Sequence, residues 1–142
     1  MQEPTLSRVI SLDSTGTERN RLCKSIVIAI RELMQQKEPD AHSLDLVAYI
    51  VLALGQITAN IEKTVVAWEK RDYWLKADKF RQQWGWTMKS GDALKKALLE
   101  KDWPAIAMQS ITIGQKLSNI KVSDNHRLGT PWIGAWNKLQ KM

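Results

Sequence analysis

The segment between Pro39 and Pro104 contains no proline, and its apolar residues recur at helical spacing rather than in strand-like alternation. Residues 44–66 are apolar on most of a helix circumference, which is typical of the central helix of a bundle. So long a segment without a helix breaker favours a mainly helical chain. We therefore expect an all-α fold, a helical bundle of four main helices plus a short C-terminal helix.

Capping residues indicate where the first helix begins. Residues 1–14 are expected to form an irregular N-terminal segment with a strand-like patch at residues 8–12. Thr15 and Glu18 then fit a capping box, in which each side chain satisfies a free backbone N–H of the first turn. An apolar stripe at three- and four-residue spacing follows and ends near Gln36.

The second helix is expected to be unusually long. Ser43 can cap its start, and the helical pattern runs over residues 44–84, with Gly85 as a natural C-terminal stop. A helix of about forty residues would span roughly 60 Å, more than a compact domain of this size needs. Either the helix breaks around residues 70–73 or its second half projects.

Three more helices complete the predicted bundle. Ser90 opens the third main helix, Asp102 with Pro104 starts the fourth, and Thr130 precedes the short last one. With average globular composition and a common domain size, residues 1–142 are predicted to be a single domain.

An aromatic and basic segment is the most unusual part of the chain. Six of the ten aromatic residues lie between Trp68 and Trp86, and five basic residues are interleaved with them. On a helix, most of these rings fall on two apolar faces, which suits a core or a subunit interface. Trp74 instead falls on the polar side, among Asn60, Lys63, Lys70, Arg71, Asp78 and Arg81. An exposed tryptophan amid cations can anchor a protein contact, stack on a nucleic-acid base, or be covered by Lys70 and Arg81 in a cation–π contact without functional meaning.

The leading hypothesis is a non-enzymatic helical protein-interaction module, a homo-oligomer or a small subunit of a larger assembly. The alternative is a nucleic-acid-binding subunit in which cations hold phosphates and exposed tryptophans stack on bases. For both hypotheses the candidate contact residues are Trp74, Lys63, Lys70, Arg71, Arg81 and Trp86.

Charge distribution adds weaker candidates. The net charge is +6, and the excess lies in the second half: residues 68–101 carry nine basic and five acidic side chains, and residues 102–142 carry five and two. Such an excess can steer an acidic partner. Secondary contact candidates are Arg21, Lys24 and Arg31 on the polar side of the first helix, with Ile28 between them, and His126 and Arg127 in a polar loop.

The sequence contains no pattern for catalysis or for a cofactor. The two histidines lie in separate loops, no phosphate-cradling glycine motif is present, and Cys23 is alone and set among apolar residues. We therefore expect no catalytic residue, no metal and no cofactor. The first twenty residues lack the charged start and apolar core of a signal peptide, and the longest apolar run, residues 46–55, covers half of a bilayer span. A cytoplasmic protein without a membrane segment is predicted.

Overall fold

All regular secondary structure in the part of the chain that the structure describes is helical. The computed structural model describes the backbone of residues 3–142 and the side chains from Ser14 onward. In chain order the helices are α1 Glu3–Met34, α2 Ala41–Lys70, α3 Trp74–Trp84, α4 Trp86–Leu99, α5 Trp103–Lys116 and α6 Ala135–Gln140. The predicted all-α fold is confirmed.

Helix α2 is the centre of the bundle, and α1, α3, α4 and α6 all pack against it, while α5 packs mainly on α4. Fully buried Leu46, Ile50, Leu54 and Ile57 repeat along its length at helical spacing. Each such side chain contributes roughly 1.5–3 kcal/mol when removed from water. By length and composition α2 could also cross a membrane, and 56% of its most apolar window is buried within the bundle.

Helix α1 begins earlier than the sequence indicates. Its backbone is helical from Glu3, so the irregular segment over residues 1–14 and the strand-like patch at residues 8–12 are wrong from that residue on, while residues 1–2 lie outside the described chain. Extending a helix that is already nucleated costs little, which outweighs a short run of β-branched residues. Thr15 and Glu18 do not start a helix, because they lie inside α1 and contact Asn60 of α2.

The long helix predicted over residues 44–84 is wrong, and the alternative, a break near residues 70–73, is confirmed. Helix α2 ends in a Schellman motif, in which Asp72 N–H donates to Glu69 O (3.0 Å) and Tyr73 N–H donates to Trp68 O (2.9 Å). Asp72 takes the left-handed position of this motif, with φ of 64°. The chain therefore turns, and α3 packs back against α2.

Gly85 directly follows the last residue of α3, as predicted for a helix stop, but its conformation is not left-handed. Its φ of −59° and ψ of −23° are right-handed helical, and it alone separates α3 from α4. A Cβ at this position would lie 3.3 Å from the Arg81 carbonyl oxygen, so glycine permits a close approach at the junction. Helix α4 consequently starts at Trp86 instead of Ser90, and Ser90 is buried against the core.

The caps of α2 and α5 follow the expected chemistry with one shift. Asp40, not Ser43, caps α2: its carboxylate accepts the Ser43 N–H at 3.0 Å, while Ser43 itself is buried. Hydrogen bonding from Ser43 lowers the pKa of Asp40. Asp102 caps α5 as predicted, accepting the Ala105 N–H at 3.2 Å.

Helix α6 is held by Asp45, which lies about ninety positions earlier in the sequence. The Asp45 carboxylate in α2 accepts the backbone N–H groups of Gly134 (3.2 Å) and Trp136 (2.9 Å), which begin the last helix. Gly134 has φ of 81°, and α6 starts after it, later than the predicted start at Thr130. Asp45, in the second turn of α2, thus joins the start of α2 to the first turn of α6.

Candidate interaction surface

The turn between α2 and α3 exposes three consecutive large apolar side chains. Tyr73, Trp74 and Leu75 are 50%, 60% and 68% exposed. Because the Schellman motif directs the chain out of α2 at Asp72, these side chains protrude where the two helices meet. We call residues 70–75, together with Asp78 and Lys79 one turn further along α3, the α2–α3 corner.

The corner carries both signs of charge. Lys70, Arg71 and Lys79 are exposed cations, and Asp72 and Asp78 are exposed acids. None of the five lies within 4 Å of an opposite charge among the described side chains, although Asp78 accepts a hydrogen bond from Gln82 at 3.0 Å. Their charges therefore remain available to a partner.

Arg81, one of the predicted contact residues, is paired within the molecule. Its guanidinium contacts Glu62 (3.3 Å) and Glu69 (3.5 Å) on α2, and the hydrogen bond that it donates to Glu62 raises the pKa of Arg81. It therefore closes α3 onto α2, and its charge is matched within the molecule. Lys63 is exposed on α2 with no ion pair to any described residue.

Four of the six clustered aromatic residues pack into the fold. Trp68 and Phe80 meet edge to face with ring centroids 5.0 Å apart, and Trp84 continues the row at 6.4 Å from Phe80. Trp86 stacks on Trp84 at 6.3 Å and is half-buried. Trp86 therefore offers little free ring surface, and Trp74 is the exposed tryptophan of the segment.

Sequence reasoning missed the residue that covers this aromatic row. The Arg19 guanidinium of α1 lies 5.0 Å from the Phe80 ring centroid and 5.7 Å from that of Trp84. It also donates to Asn60 Oδ1 at 2.9 Å, and Asn60 in turn donates to the Thr15 carbonyl at 2.8 Å. The sequence shows Arg19 as a cation beside the apolar stripe of α1, but only the folded structure shows that Phe80 and Trp84 lie next to it.

The secondary candidates divide between surface and structural positions. Arg21 is exposed and Lys24 half-buried, whereas Arg31 donates to the Val122 carbonyl at 3.5 Å. Ile28, expected on the surface between these bases, is buried instead. The Val122 contact places the segment after α5 beside Arg31 of α1.

The polar loop at residues 123–128 is a structured turn. His126 Nδ1 accepts the Leu128 N–H at 3.2 Å, so this nitrogen carries no proton in the structure. Arg127 is exposed. These contacts stabilise the loop locally. They do not bring the polar side chains of this loop together at a point where they could act on one substrate atom.

The described side chains do not form a metal cluster: no group of three or more His, Cys, Asp or Glu residues converges among them. His42 lies 3.5 Å from Glu32 as a single pair. Cys23 is buried, and burial raises the pKa of its thiol to about 11. A thiol protonated at neutral pH is a poor nucleophile.

The fold and surface define the chain as an all-α bundle with an exposed aromatic and charged corner. No family model, curated protein or solved structure matches it.

Proposed function

We propose that the chain is a non-enzymatic helical interaction module whose α2–α3 corner binds a second copy of the same protein. The observation that carries the proposal is the exposure of Tyr73, Trp74 and Leu75 side by side. Tyrosine and tryptophan are the side chains that most often anchor protein interfaces, because they bury large areas with few rotatable bonds.

The charges around this apolar centre support self-association in particular. A two-fold contact joins one surface patch to itself, so the patch must be self-complementary. Lys70, Arg71 and Lys79 lie beside Asp72 and Asp78, so the basic side chains of one copy can meet the acidic side chains of the other. The centre is small, and a weak, reversible dimer is expected.

Sedimentation velocity tests the proposal on the full chain, from low micromolar to near-millimolar concentration. The weight-average sedimentation coefficient should rise with concentration, and Trp74→Ala should remove the rise. The matched control is Ile133→Ala, since Ile133 is 73% exposed but lies beside the first turn of α2, at the opposite end from the corner. A wild-type protein that stays monomeric throughout contradicts the proposal.

Nucleic-acid binding is the second candidate function. Three unpaired cations around an exposed indole, Lys70, Arg71 and Lys79 about Trp74, support it, while Asp72 and Asp78 within the same patch oppose phosphate. Fluorescence anisotropy of labelled single-stranded DNA and RNA at two salt concentrations provides the test. Salt-sensitive binding that Trp74→Ala weakens favours this candidate, and no binding at low salt removes it.

We further propose a cytoplasmic location. The buried, unpaired thiol of Cys23 suits a reducing compartment. Fractionation of the native host, with detection by an antibody against the full chain, tests this part of the proposal.

A further inference from the structure

We infer a second site, unrelated to the α2–α3 corner: a cleft between α2, α4 and α6 that binds a single-chain amphiphile with an anionic head group. The cleft has a volume of about 530 Å³, within the range of small-molecule sites. Its lining comes from residues 51–59, 87–95 and 138–142, none of which belongs to the corner.

The floor of the cleft, formed by α2, is mostly apolar, and no side chain fills it at position 55. Val51, Leu52 and Ala59 of α2 face Met88 and Leu139 across it, and glycine occupies position 55 of α2. A Cβ at position 55 would meet no atom within 4 Å, so packing inside the protein does not require glycine there. Glycine inside a helix costs roughly 0.5–1 kcal/mol relative to alanine, and here it leaves room for an outside molecule.

The hydroxyl groups at the Ala59 end of the cleft, those of Thr58 and Thr87, have no hydrogen left to donate. Thr58 Oγ1 donates to the Leu54 carbonyl at 3.0 Å, and Thr87 Oγ1 donates to the Trp84 carbonyl at 2.8 Å. The two hydroxyl oxygens are also 3.0 Å apart, but each hydroxyl has a single hydrogen. This part of the cleft suits a hydrocarbon chain and disfavours an anion.

The two lysines of the lining lie at one end of the cleft. Helices α2 and α4 run antiparallel there, because Thr58 meets Thr87 and Gly91 packs beside Leu54. Lys95 therefore lies one turn beyond Gly91, towards Val51.

Lys138 of α6 lines the cleft at the same end, since Asp45 fixes the start of α6 beside the first turn of α2. Neither Lys95 nor Lys138 has a carboxylate within 4 Å among the described residues. Asp92 is the one acidic side chain among the described lining residues, so two basic side chains stand against one acidic side chain there. A ligand with one anionic end matches this arrangement.

The dimensions favour an amphiphile over a docked helix. From Val51 to Ala59 the floor is about 12 Å long, roughly two helical turns, which is short for a helix-in-groove contact. A medium-length hydrocarbon chain fills such a length. Met88, exposed at the rim, can adapt its flexible side chain to the chain's shape.

Isothermal titration calorimetry of the full-length protein with decanoate, below its micelle concentration, tests the inference. We expect saturable binding of one decanoate per chain, about ten-fold tighter than the binding of decyltrimethylammonium, which carries an alkyl tail of similar length and the opposite charge. Absence of saturable decanoate binding, or equal affinity for the two amphiphiles, overturns the inference.

Three variants locate the site. Gly55→Leu fills the cleft and should weaken decanoate binding at least about ten-fold while helix content is retained, because leucine favours the helix. Gly114→Leu is the matched control: Gly114 is also a helical glycine with no atom within 4 Å of a built Cβ, it lies outside the cleft, and its variant should bind as the wild type does. Lys95→Gln combined with Lys138→Gln should remove the preference for the anion.

Two further results would overturn the inference. One is undiminished binding by a folded Gly55→Leu variant. The other is binding of an acidic amphipathic peptide at the Gly55 site that decanoate fails to displace. That result would identify a helical partner instead of an amphiphile.

Discussion

The guanidinium of Arg19 lies 5.0 Å from the Phe80 ring centroid, so that a cation of α1 covers the aromatic side of α3. The same group donates to Asn60 of α2 at 2.9 Å. Burial lowers the pKa of Arg19, but an arginine remains charged at any physiological pH. One side chain therefore connects the three helices whose arrangement creates the α2–α3 corner.

Replacing Arg19 should destabilise the bundle. Arg19→Ala removes the cation–π contacts and leaves Asn60 Oδ1 without its donor, so we expect the free energy of unfolding to fall by about 1–3 kcal/mol. Urea unfolding followed by circular dichroism measures the change. Arg21→Ala, at an exposed position of the same helix, should change stability by less than about 0.5 kcal/mol. Equal effects of the two substitutions would show that the contacts of Arg19 do not stabilise the fold.

Glycine substitution at the two left-handed residues that end α2 and α4 should stabilise the fold. Asp72 and Lys101 have φ of 64° and 51°, a conformation that glycine adopts without strain. Asp72→Gly and Lys101→Gly should each raise the free energy of unfolding by about 0.5–1 kcal/mol, whereas Lys96→Gly, inside α4, should lower it by about 1 kcal/mol. Thermal unfolding of the three variants checks the signs, and destabilisation by both left-handed substitutions would contradict the Schellman assignment.

Asp45 should control the last helix. Asp45→Ala removes the acceptor for two backbone N–H groups at the start of α6, so a loss of about 1–2 kcal/mol and faster hydrogen exchange over residues 134–139 are expected. Asp124→Ala, in an exposed loop, is the control. Unchanged exchange rates in α6 after Asp45→Ala would mean that packing alone holds that helix.

The buried thiol predicts a pH dependence. Burial raises the pKa of Cys23 from 9.0 to about 11 in the folded state, so the folded chain keeps a proton that the unfolded chain releases in this range. This contribution to stability is complete below pH 9 and is lost as the pH rises towards 11. Unfolding free energies measured across that interval should fall more steeply for the wild type than for Cys23→Ala. Parallel curves would show that the thiol titrates alike in both states.

Patterns within single helices were predictable from the sequence. The apolar face of α2 and the cap at Asp102 both follow from spacing and side-chain chemistry within a few residues. Trp74 is exposed as expected, but that expectation used a continuous helix over residues 44–84, which breaks before Trp74. The break in the long helix could be stated only as an alternative. The left-handed residue that ends α2 is Asp72, whereas Gly85, the glycine expected to end the long helix, has a right-handed conformation.

Features that depend on distant residues were not predictable. Ile28 is buried and Arg31 contacts the Val122 carbonyl in the segment after α5, and no local pattern predicts either feature. Arg81 faces Glu62 and Glu69 only after α3 folds back, and Asp45 reaches α6 across about ninety residues of sequence. The cleft beside Gly55 likewise exists only once α2, α4 and α6 are assembled.

The most direct test of the self-associating corner is a charge-exchange experiment by sedimentation velocity. Asp72→Lys makes the corner more basic, and Arg71→Glu combined with Lys70→Glu makes it acidic, so each variant alone should associate less than the wild type at equal concentration. An equimolar mixture of the two should recover association, because opposite charges then meet across the apolar centre. If both variants alone sediment as the wild type does and the mixture shows no gain, the corner is not where two copies meet.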